Sequence, residues 1–576
     1  MNGGVRVAQV LQNHNVQHIF TLCGGHISPI LVESKKRGIR IIDVRHEANA
    51  AFAADASSRM IGGVGVAAVT AGPGVTNTIT AVKNAQLAQS PLVLIGGATA
   101  TMLRGRGSLQ DIDQIKLIKP HVKWYARPNR LRDVIPALEE AFVQAQEGVP
   151  GPVFVEIAVD LLYDESIVRD WYKAKTDKKN PKLQEKIVAT YIKWHLHRVF
   201  GGTKSPQFHH PRNIKVPMVD SSTINKAISL LTTSSKAVLV IGSQAFLDPQ
   251  QQEGFRLAIE KIGIPVFLSG MGRGFLGVDH ELQMRHKRTQ ALKAADLVFL
   301  CGVPCDFRLD YGYPLRRAKV ISINRSRFDV QHNISPELAI VADPSLFLQG
   351  LAQKYHGSKQ QEWILECRQR HDKREVEIQN MATQETEDGY INPLSFFQQL
   401  DSILDEKSIL VGDGGDFVAT CAYVVQPRSP YTWLDPGVFG TLGVGAGFAM
   451  GAKCSKPDHD VFVIYGDGAC GFSIMELDSC VRNNIPIIAI VGNDAGWTQI
   501  ARDQVVILED DVATTLTYMD YHTVAEGCGA IGLLLKNKED ILPTLQKAIH
   551  LSREGKTVLI NVLIGKTDFR KGSISM

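Results

Sequence analysis

The sequence predicts an α/β protein with three domains, each a doubly wound parallel sheet, and three observations carry that expectation. Short β-branched runs alternate with helical patterns over three separate stretches, the signature of parallel strands joined by helices. The chain has 576 residues, too many for one hydrophobic core. Its composition, 44% hydrophobic and 21% charged, is that of an ordinary globular protein, which sets fibrous and disordered classes aside.

The first stretch, residues 1–163, contains strand-like Val66–Thr70 and Leu92–Gly96 and closes on Val153–Ile157. Residues 164–220 form a joint rich in Lys, Arg, His and Pro. The central stretch, 221–355, holds Ala237–Ile241, Pro265–Leu268, Leu297–Cys301 and Lys319–Ile323. A charged joint of helix and loop, 356–392, leads to 393–576, with Ser408–Val411, Val461–Tyr465 and Ile487–Val491. The first and last stretches are candidates for two copies of one fold.

Charge and cysteine usage narrow the function classes. Lys plus Arg number 63 and Asp plus Glu 59, a net charge of +4, which gives no reason to expect nucleic acid as a partner. Nine scattered cysteines suggest no disulfide framework and favour a reducing compartment. Cys301 and Cys305 are four apart but lack a second ligand pair, so buried thiols are expected there. No apolar run reaches the length of a membrane span, and no signal-peptide pattern precedes the globular one.

Two motifs carry chemistry. Tyr465-Gly466-Asp467-Gly468-Ala469 follows the apolar run Val461–Ile464 and precedes a helical pattern. An aspartate among glycines at a strand end offers a hard oxygen to magnesium and bare N–H groups to a diphosphate. One strand later comes Gly492-Asn493-Asp494-Ala495-Gly496-Trp497, which would reach the same edge of a parallel sheet. The pair resembles the metal motif of thiamine-diphosphate enzymes. Asn493 follows Asp467 by 26 residues and Asp494 by 27, so either side chain is a candidate second ligand, with the Gly496 carbonyl as the next.

The second motif is Arg45-His46-Glu47-Ala48-Asn49, at the start of a run of small residues. It resembles the glutamate segment of the same enzymes. Their chemistry needs a carboxyl group on the aminopyrimidine ring so that the weakly acidic thiazolium C2 proton can leave. Further segments extend the resemblance over nearly the whole chain, in the same domain order. Thr70–Asn77, with Gly74, resembles the glycine turn of the pyrimidine-binding domain. Asp435–Gly443 resembles the loop that props the cofactor, with Gly440, Thr441 and the bulky Leu442. Gly412–Asp416 matches a diphosphate-side loop, with Gly415 and Asp416 as candidates. Gly466, Gly468, Ala469 and Trp497 complete the expected cofactor contacts.

Within the family, Gly24–Pro29, Cys305–Leu309 and Gly492–Gln499 resemble the animal acetolactate synthase-like group, the 2-hydroxyacyl-CoA lyases of the endoplasmic reticulum. That resemblance implies cleavage of 2-hydroxy fatty acyl-CoA to formyl-CoA and an aldehyde one carbon shorter, as in fatty acid α-oxidation. It also implies a homodimer or homotetramer with active sites at the subunit interface. Membrane association at the endoplasmic reticulum follows from it too, with a cytoplasmic enzyme as the alternative. His26 and Gln110 fall where relatives place active-site polar groups. The central domain is expected to carry FAD, ADP or CoA, or nothing; Arg273 and Arg308 are its candidate phosphate contacts. Two other functions stay open, an acetolactate-type condensation of 2-keto acids and a non-catalytic membrane-docking or scaffold homologue.

One feature falls outside this frame. In residues 182–200, Val188, Tyr191, Ile192, Leu196 and Val199 follow helical spacing, flanked by Lys186, Lys193, His197, Arg198 and Trp194. Such a basic, aromatic helix either packs on a neighbouring domain or lies in a bilayer interface.

Overall fold

Three all-parallel sheets organise the chain. A computed structural model describes residues 2–173, 183–202 and 207–571. The first sheet contains β1 (His18–Thr21), β2 (Arg40–Asp43), β3 (Gly65–Val69), β4 (Leu92–Ala98), β5 (Trp124–Ala126) and β6 (Pro152–Ala158), in the order β2-β1-β3-β4-β6-β5. The central sheet contains β7 (Ala237–Ile241), β8 (Val266–Leu268), β9 (Leu297–Cys301), β10 (Lys319–Asn324) and β11 (Leu338–Val341), in the order β11-β10-β9-β7-β8. The last contains β12 (Ser408–Asp413), β13 (Trp433–Leu434), β14 (Asp460–Gly466), β15 (Ile488–Asn493), β16 (Ile531–Leu535) and β17 (Val558–Leu563), in the order β13-β12-β14-β15-β17-β16. The chain divides into two compact units; the first sheet belongs to one, the central and last sheets to the other.

The first and last sheets have the same strand order once relabelled, as two copies of one fold require. In each, the chain leaves the first strand towards one edge and returns on its other side. This reversal opens a crevice at the carboxyl ends of the strands, between β1 and β3 in one sheet and between β12 and β14 in the other.

Helices cover both faces, so the central strands read as unbroken apolar runs; every residue of β4, β6, β7 and β9 is buried. The helix Glu47–Ile61 packs through Ala50, Ala51, Ala53, Ala54 and Ala56, all without exposure. Small side chains let it approach the sheet closely: a Cβ on Gly65 would meet the Ala54 carbonyl at 1.9 Å. The nine cysteines are all free thiols, and Cys301 and Cys305 are buried. No helix among the described residues is long and apolar enough to cross a membrane.

Lys182 lies outside the described residues; the helix beyond it runs Leu183–Phe200. Ile192, Leu196, Val199 and Phe200 join the core of the first unit. His195, on the same helix, meets the Thr101 hydroxyl at 2.9 Å, and that hydroxyl donates to the buried Asp160. Leu183, Ile187, Val188, Tyr191 and Trp194 remain exposed.

Candidate active site

In the first unit, the crevice collects residues from three strand ends. The turn after β1 carries His26, whose Nδ1 lies 3.2 Å from Oγ1 of Thr70, the residue after β3. Burial holds the His26 pKa below its ordinary value, so the imidazole is neutral near pH 7. Glu47 begins its helix after β2, is 6% exposed, and accepts at Oε2 from the Asn77 amide at 2.9 Å. Gly74 sits over it: a Cβ there would lie 3.7 Å from Glu47 Oε1. Gln110 has its backbone in the left-handed region, φ 61°, with its carbonyl against Gly72 in the same glycine turn.

Two contributors here carry no assigned role in the sequence reading. Asn77 holds Glu47, and its place one short helical turn after Pro73–Gly74 is the signal that was there to read. Gln114, 1% exposed, accepts from Gly72 N–H at 2.7 Å and donates to the Gly97 carbonyl at 3.0 Å and to Glu156 at 3.1 Å. It thereby ties the glycine turn to β4 and β6.

The second unit supplies a metal- and phosphate-competent crevice. β12 and β14 are in register from Ser408↔Asp460 to Asp413↔Tyr465, and β14 and β15 from Phe462↔Ile488 to Gly466↔Gly492. Level strand ends bring Asp413, Asp467 and Asp494 to one edge. Asp467, 2% exposed, accepts from Gly468 N–H at 2.8 Å and from Gly496 N–H at 3.2 Å. Burial first, and the Asp494 charge second, push its pKa up to about 7. Burial raises the Asp494 pKa too.

The Asn493 amide nitrogen has partners within the fold, and its Oδ1 accepts from Ala495 N–H at 3.4 Å. The residue is fully buried, and its amide donates to the Met519 carbonyl at 3.1 Å and to Asn561 at 3.2 Å. The glycines around Asp467 keep side chains out of the crevice. At Gly468 the reason is direct, since a Cβ would strike the Trp497 ring at 2.5 Å. Gly414, with φ 110°, takes a backbone that only glycine adopts readily and brings the loop after β12 onto buried Ala469. Gly415 lies against Gln499.

Asp416 meets Arg502 at 2.6 Å, so an arginine already occupies that carboxylate. Asp413 supplies a tether instead. Fully buried, it accepts from Gly443 N–H at 3.0 Å and Gly445 N–H at 2.7 Å, fixing the chain immediately after Leu442. Leu442 is half-buried, while Gly440, φ 61°, is exposed beside half-buried Thr441.

The central domain spends its candidate phosphate contacts internally. Arg308 pairs with its neighbour Asp306 at 2.7 Å. Arg273 donates to the Ala422 carbonyl at 3.0 Å and stacks over Trp433 at 4.6 Å. A further group, His286, His371 and Glu375, has metal-ligand chemistry by type. There the Arg285 N–H donates to His371 Nδ1 at 3.3 Å, which leaves the proton of a neutral ring on Nε2, towards Glu375 at 3.7 Å. With Arg285 also 3.6 Å from Glu375, the group is a charged hydrogen-bond cluster.

Comparison with known proteins agrees with both crevices. The family model for the thiamine pyrophosphate enzyme N-terminal TPP binding domain matches residues 1–117. The models for the central domain and the C-terminal TPP binding domain match 224–351 and 413–562. The chain is 47% identical over 583 residues to 2-hydroxyacyl-CoA lyase 2 of Danio rerio, covering all of this chain and 93% of the relative. It is 46% identical over 584 residues to 2-hydroxyacyl-CoA lyase 2 of Homo sapiens, covering 92% of that protein. An acetolactate synthase large subunit of Mycobacterium tuberculosis is 30% identical over 567 residues, 98% of this chain and 96% of that one. Two crevices of matching topology, one built around a helix-start glutamate and one around paired strand-end aspartates, together with these matches, place the chain in the thiamine pyrophosphate enzyme family.

Proposed function

We propose that the chain is a thiamine-diphosphate- and magnesium-dependent lyase that cleaves 2-hydroxyacyl-CoA to formyl-CoA and an aldehyde one carbon shorter. The observation that carries the reading is near-half identity, over the whole chain, to proteins named 2-hydroxyacyl-CoA lyase 2. Acetolactate synthases match at 30%, which makes condensation of 2-keto acids the weaker reading. A non-catalytic homologue is disfavoured because Glu47, Asp467 and Asp494 are all present.

The residues fit the cofactor and its cation. Two carboxylates on neighbouring strand ends, Asp467 buried and Asp494 half-buried, repel each other, and a hard divalent cation removes that cost. Asp467, Asp494 and the Gly496 carbonyl would hold magnesium. Gly415, Gly466, Gly468 and Ala469 would face the diphosphate, Leu442 the bend between the rings, and Glu47 and Gly74 the aminopyrimidine. Bound there, thiamine diphosphate supplies a nucleophilic carbon and an electron sink beside the thioester carbonyl.

The protein's own groups handle protons. Asn77 holds Glu47 Oε2 and leaves Oε1 to exchange a proton with the aminopyrimidine nitrogen. Neutral His26, steadied by Thr70, takes the proton of the substrate's 2-hydroxyl as that carbon becomes an aldehyde, and Gln110, against Gly72, is the second candidate polar group. In the assembly, Glu47 of one subunit and Asp467 of another serve one cofactor, so the working unit is a homodimer or a homotetramer.

A second part of the reading concerns lipid. The exposed residues Leu183, Ile187, Tyr191 and Trp194 recur at helical spacing on Leu183–Phe200. Lys186, Lys193 and Arg198 flank them, and Arg198 lies 5.8 Å over the Trp194 ring. This stripe suits peripheral contact with an anionic membrane, at the endoplasmic reticulum in this reading.

The test of the main reading is formyl-CoA release from a 2-hydroxyacyl-CoA in the presence of thiamine diphosphate and magnesium, with pyruvate as the competing substrate. Glu47→Gln should keep the fold and bound cofactor and lose on the order of 10²–10⁴ in rate. Turnover of pyruvate alone, or a Glu47→Gln variant within a few-fold of wild type, overturns it.

A further inference from the structure

Resting on the lyase reading, we propose that Ile500, Ile507, Leu508 and Val512, on the segment 497–514, form the surface that receives the acyl chain of the substrate and sets chain-length preference. The segment is an excursion whose two ends are pinned at the metal turn. Trp497 N–H donates to the Thr514 carbonyl at 2.7 Å, Leu516 N–H to the Ala495 carbonyl at 2.8 Å, and Gly496 bridges Thr515. It leaves the fold directly after Gly496, whose N–H reaches Asp467. Between the ends, the helix Thr498–Leu508 has no buried residue at all.

The helix is anchored on one side, although Val506 on that side is itself 78% exposed. Arg502 ties that side to Asp416, beside the loop after β12. At 100° per residue, Ile500, Ile507 and Leu508 fall on the opposite side, with Gln504 among them. Gln504 donates to the carbonyls of Asp510 and Val512, at 3.2 and 3.0 Å, and so folds Val512 back to the same side. Ile500 is 49% exposed and Ile507, Leu508 and Val512 are each 69% exposed.

Such a stripe is costly in water unless something apolar covers it. The occupant follows from chemistry and place. The reacting carbonyl is bonded to the carbon that carries the alkyl tail, so the tail must leave the reaction centre along apolar surface. The stripe starts at Ile500, in the first helical turn after the Asp467–Gly496 turn, and the eleven-residue helix spans about 16 Å. That length suits a fatty acyl chain.

The experiment compares kcat/KM for 2-hydroxypalmitoyl-CoA and 2-hydroxybutyryl-CoA. The variants are Ile507→Ser/Leu508→Ser and, as a control on the Arg502 side, Val506→Ser, at a residue that is 78% exposed. The double variant should lose about tenfold or more with the long substrate and stay within about twofold with the short one, because each methylene kept from water contributes to binding. Val506→Ser should leave both unchanged. Equal loss on both substrates, or none, overturns the proposal. So does a double variant that sediments as a smaller species than wild type, which would assign the stripe to a second copy of the chain. Failure of the wild type to cleave either substrate sinks the lyase reading itself, a result distinct from a length-independent variant of an active enzyme.

Discussion

Asn493 and Asp494 stand side by side at the end of β15, and replacing each with alanine should produce opposite phenotypes. Asn493→Ala removes two donated hydrogen bonds in a fully buried position. The Met519 carbonyl keeps the Asn561 amide as a donor at 3.1 Å, but the Asn561 side-chain oxygen loses its Asn493 donor. One bond lost and one acceptor stranded cost about 2–3 kcal/mol. In a domain of this size that lowers the melting temperature by about 5–10 °C. Asp494→Ala removes a carboxylate that repels Asp467, so the protein stripped of metal should melt no lower than wild type. Its loss should fall on the cation. Even residues that only support a metal ligand are worth about 10–100-fold in affinity, and a direct ligand should reach the upper end or exceed it. Thermal melts of chelator-stripped protein measure the first effect. Titration of thiamine diphosphate against indole fluorescence, with and without magnesium, measures the second; Trp497, lying on Gly468, is the natural reporter. If Asp494→Ala binds like wild type while Asn493→Ala melts normally and loses binding, the assignment of the metal to Asp494 is wrong.

Mixing Glu47→Gln subunits with Asp467→Ala subunits should restore about a quarter to a half of wild-type activity, since each mixed dimer regains one intact site. An active monomer at assay concentration defeats this. The protein should co-sediment with anionic vesicles at low salt, and a Tyr191→Ser/Ile187→Ser/Trp194→Ser variant should not; equal retention in the supernatant makes the stripe on Leu183–Phe200 structural only.

The sequence reading reached furthest where residues must be buried on both faces. The interior strands β3, β4, β6, β7, β9, β10, β12, β14 and β15 announce themselves as apolar runs, while interior β1 and β17 are not among the runs read from the sequence. The edge strands β2, β5, β11, β13 and β16 do not: β5 and β13 have three and two residues, β2 mixes polar with apolar residues, and β11 and β16 are apolar in sequence but partly exposed, whereas the edge strand β8 is read from Pro265–Leu268. Arg40-Ile41-Ile42-Asp43 carries only two apolar residues. Glu47 and Asp467 were legible because their chemistry is tied to a local motif. Spacing against the family motif favours Asp494 and keeps Asn493 open. Successive residues at a strand end point to opposite faces, so one step along the chain separates a side chain bonded to Met519 and Asn561 from one facing Asp467. The glycine loop after β12 shows the same difficulty. Its two aspartates look alike in sequence, yet Asp413 tethers Gly443 and Gly445 while Asp416 meets an arginine 86 residues away. On the helix Leu183–Phe200, three of the five residues on the face read for a bilayer, Ile192, Leu196 and Val199, are sealed into the core of the first unit, and only Val188 and Tyr191 stay exposed, because helical spacing marks an apolar face without saying what covers it.

The two crevices also divide the energetic burden unevenly. Around Glu47 the polar groups have partners within the protein: Asn77 for Glu47, Thr70 for His26, and Gln114 for the glycine turn. That half of the site is prepared without a ligand. Around Asp467 the fold instead sets two like charges together, one buried and one half-buried, and meets the buried one with backbone N–H groups of Gly468, Ala495 and Gly496. A structure tuned for stability alone would replace one carboxylate with an amide, and Asn493, one residue away, shows that this chain accommodates a buried amide. The surplus negative charge therefore makes sense as the part of the fold completed by a cation. Magnesium together with thiamine diphosphate should stabilise the second unit more than the first.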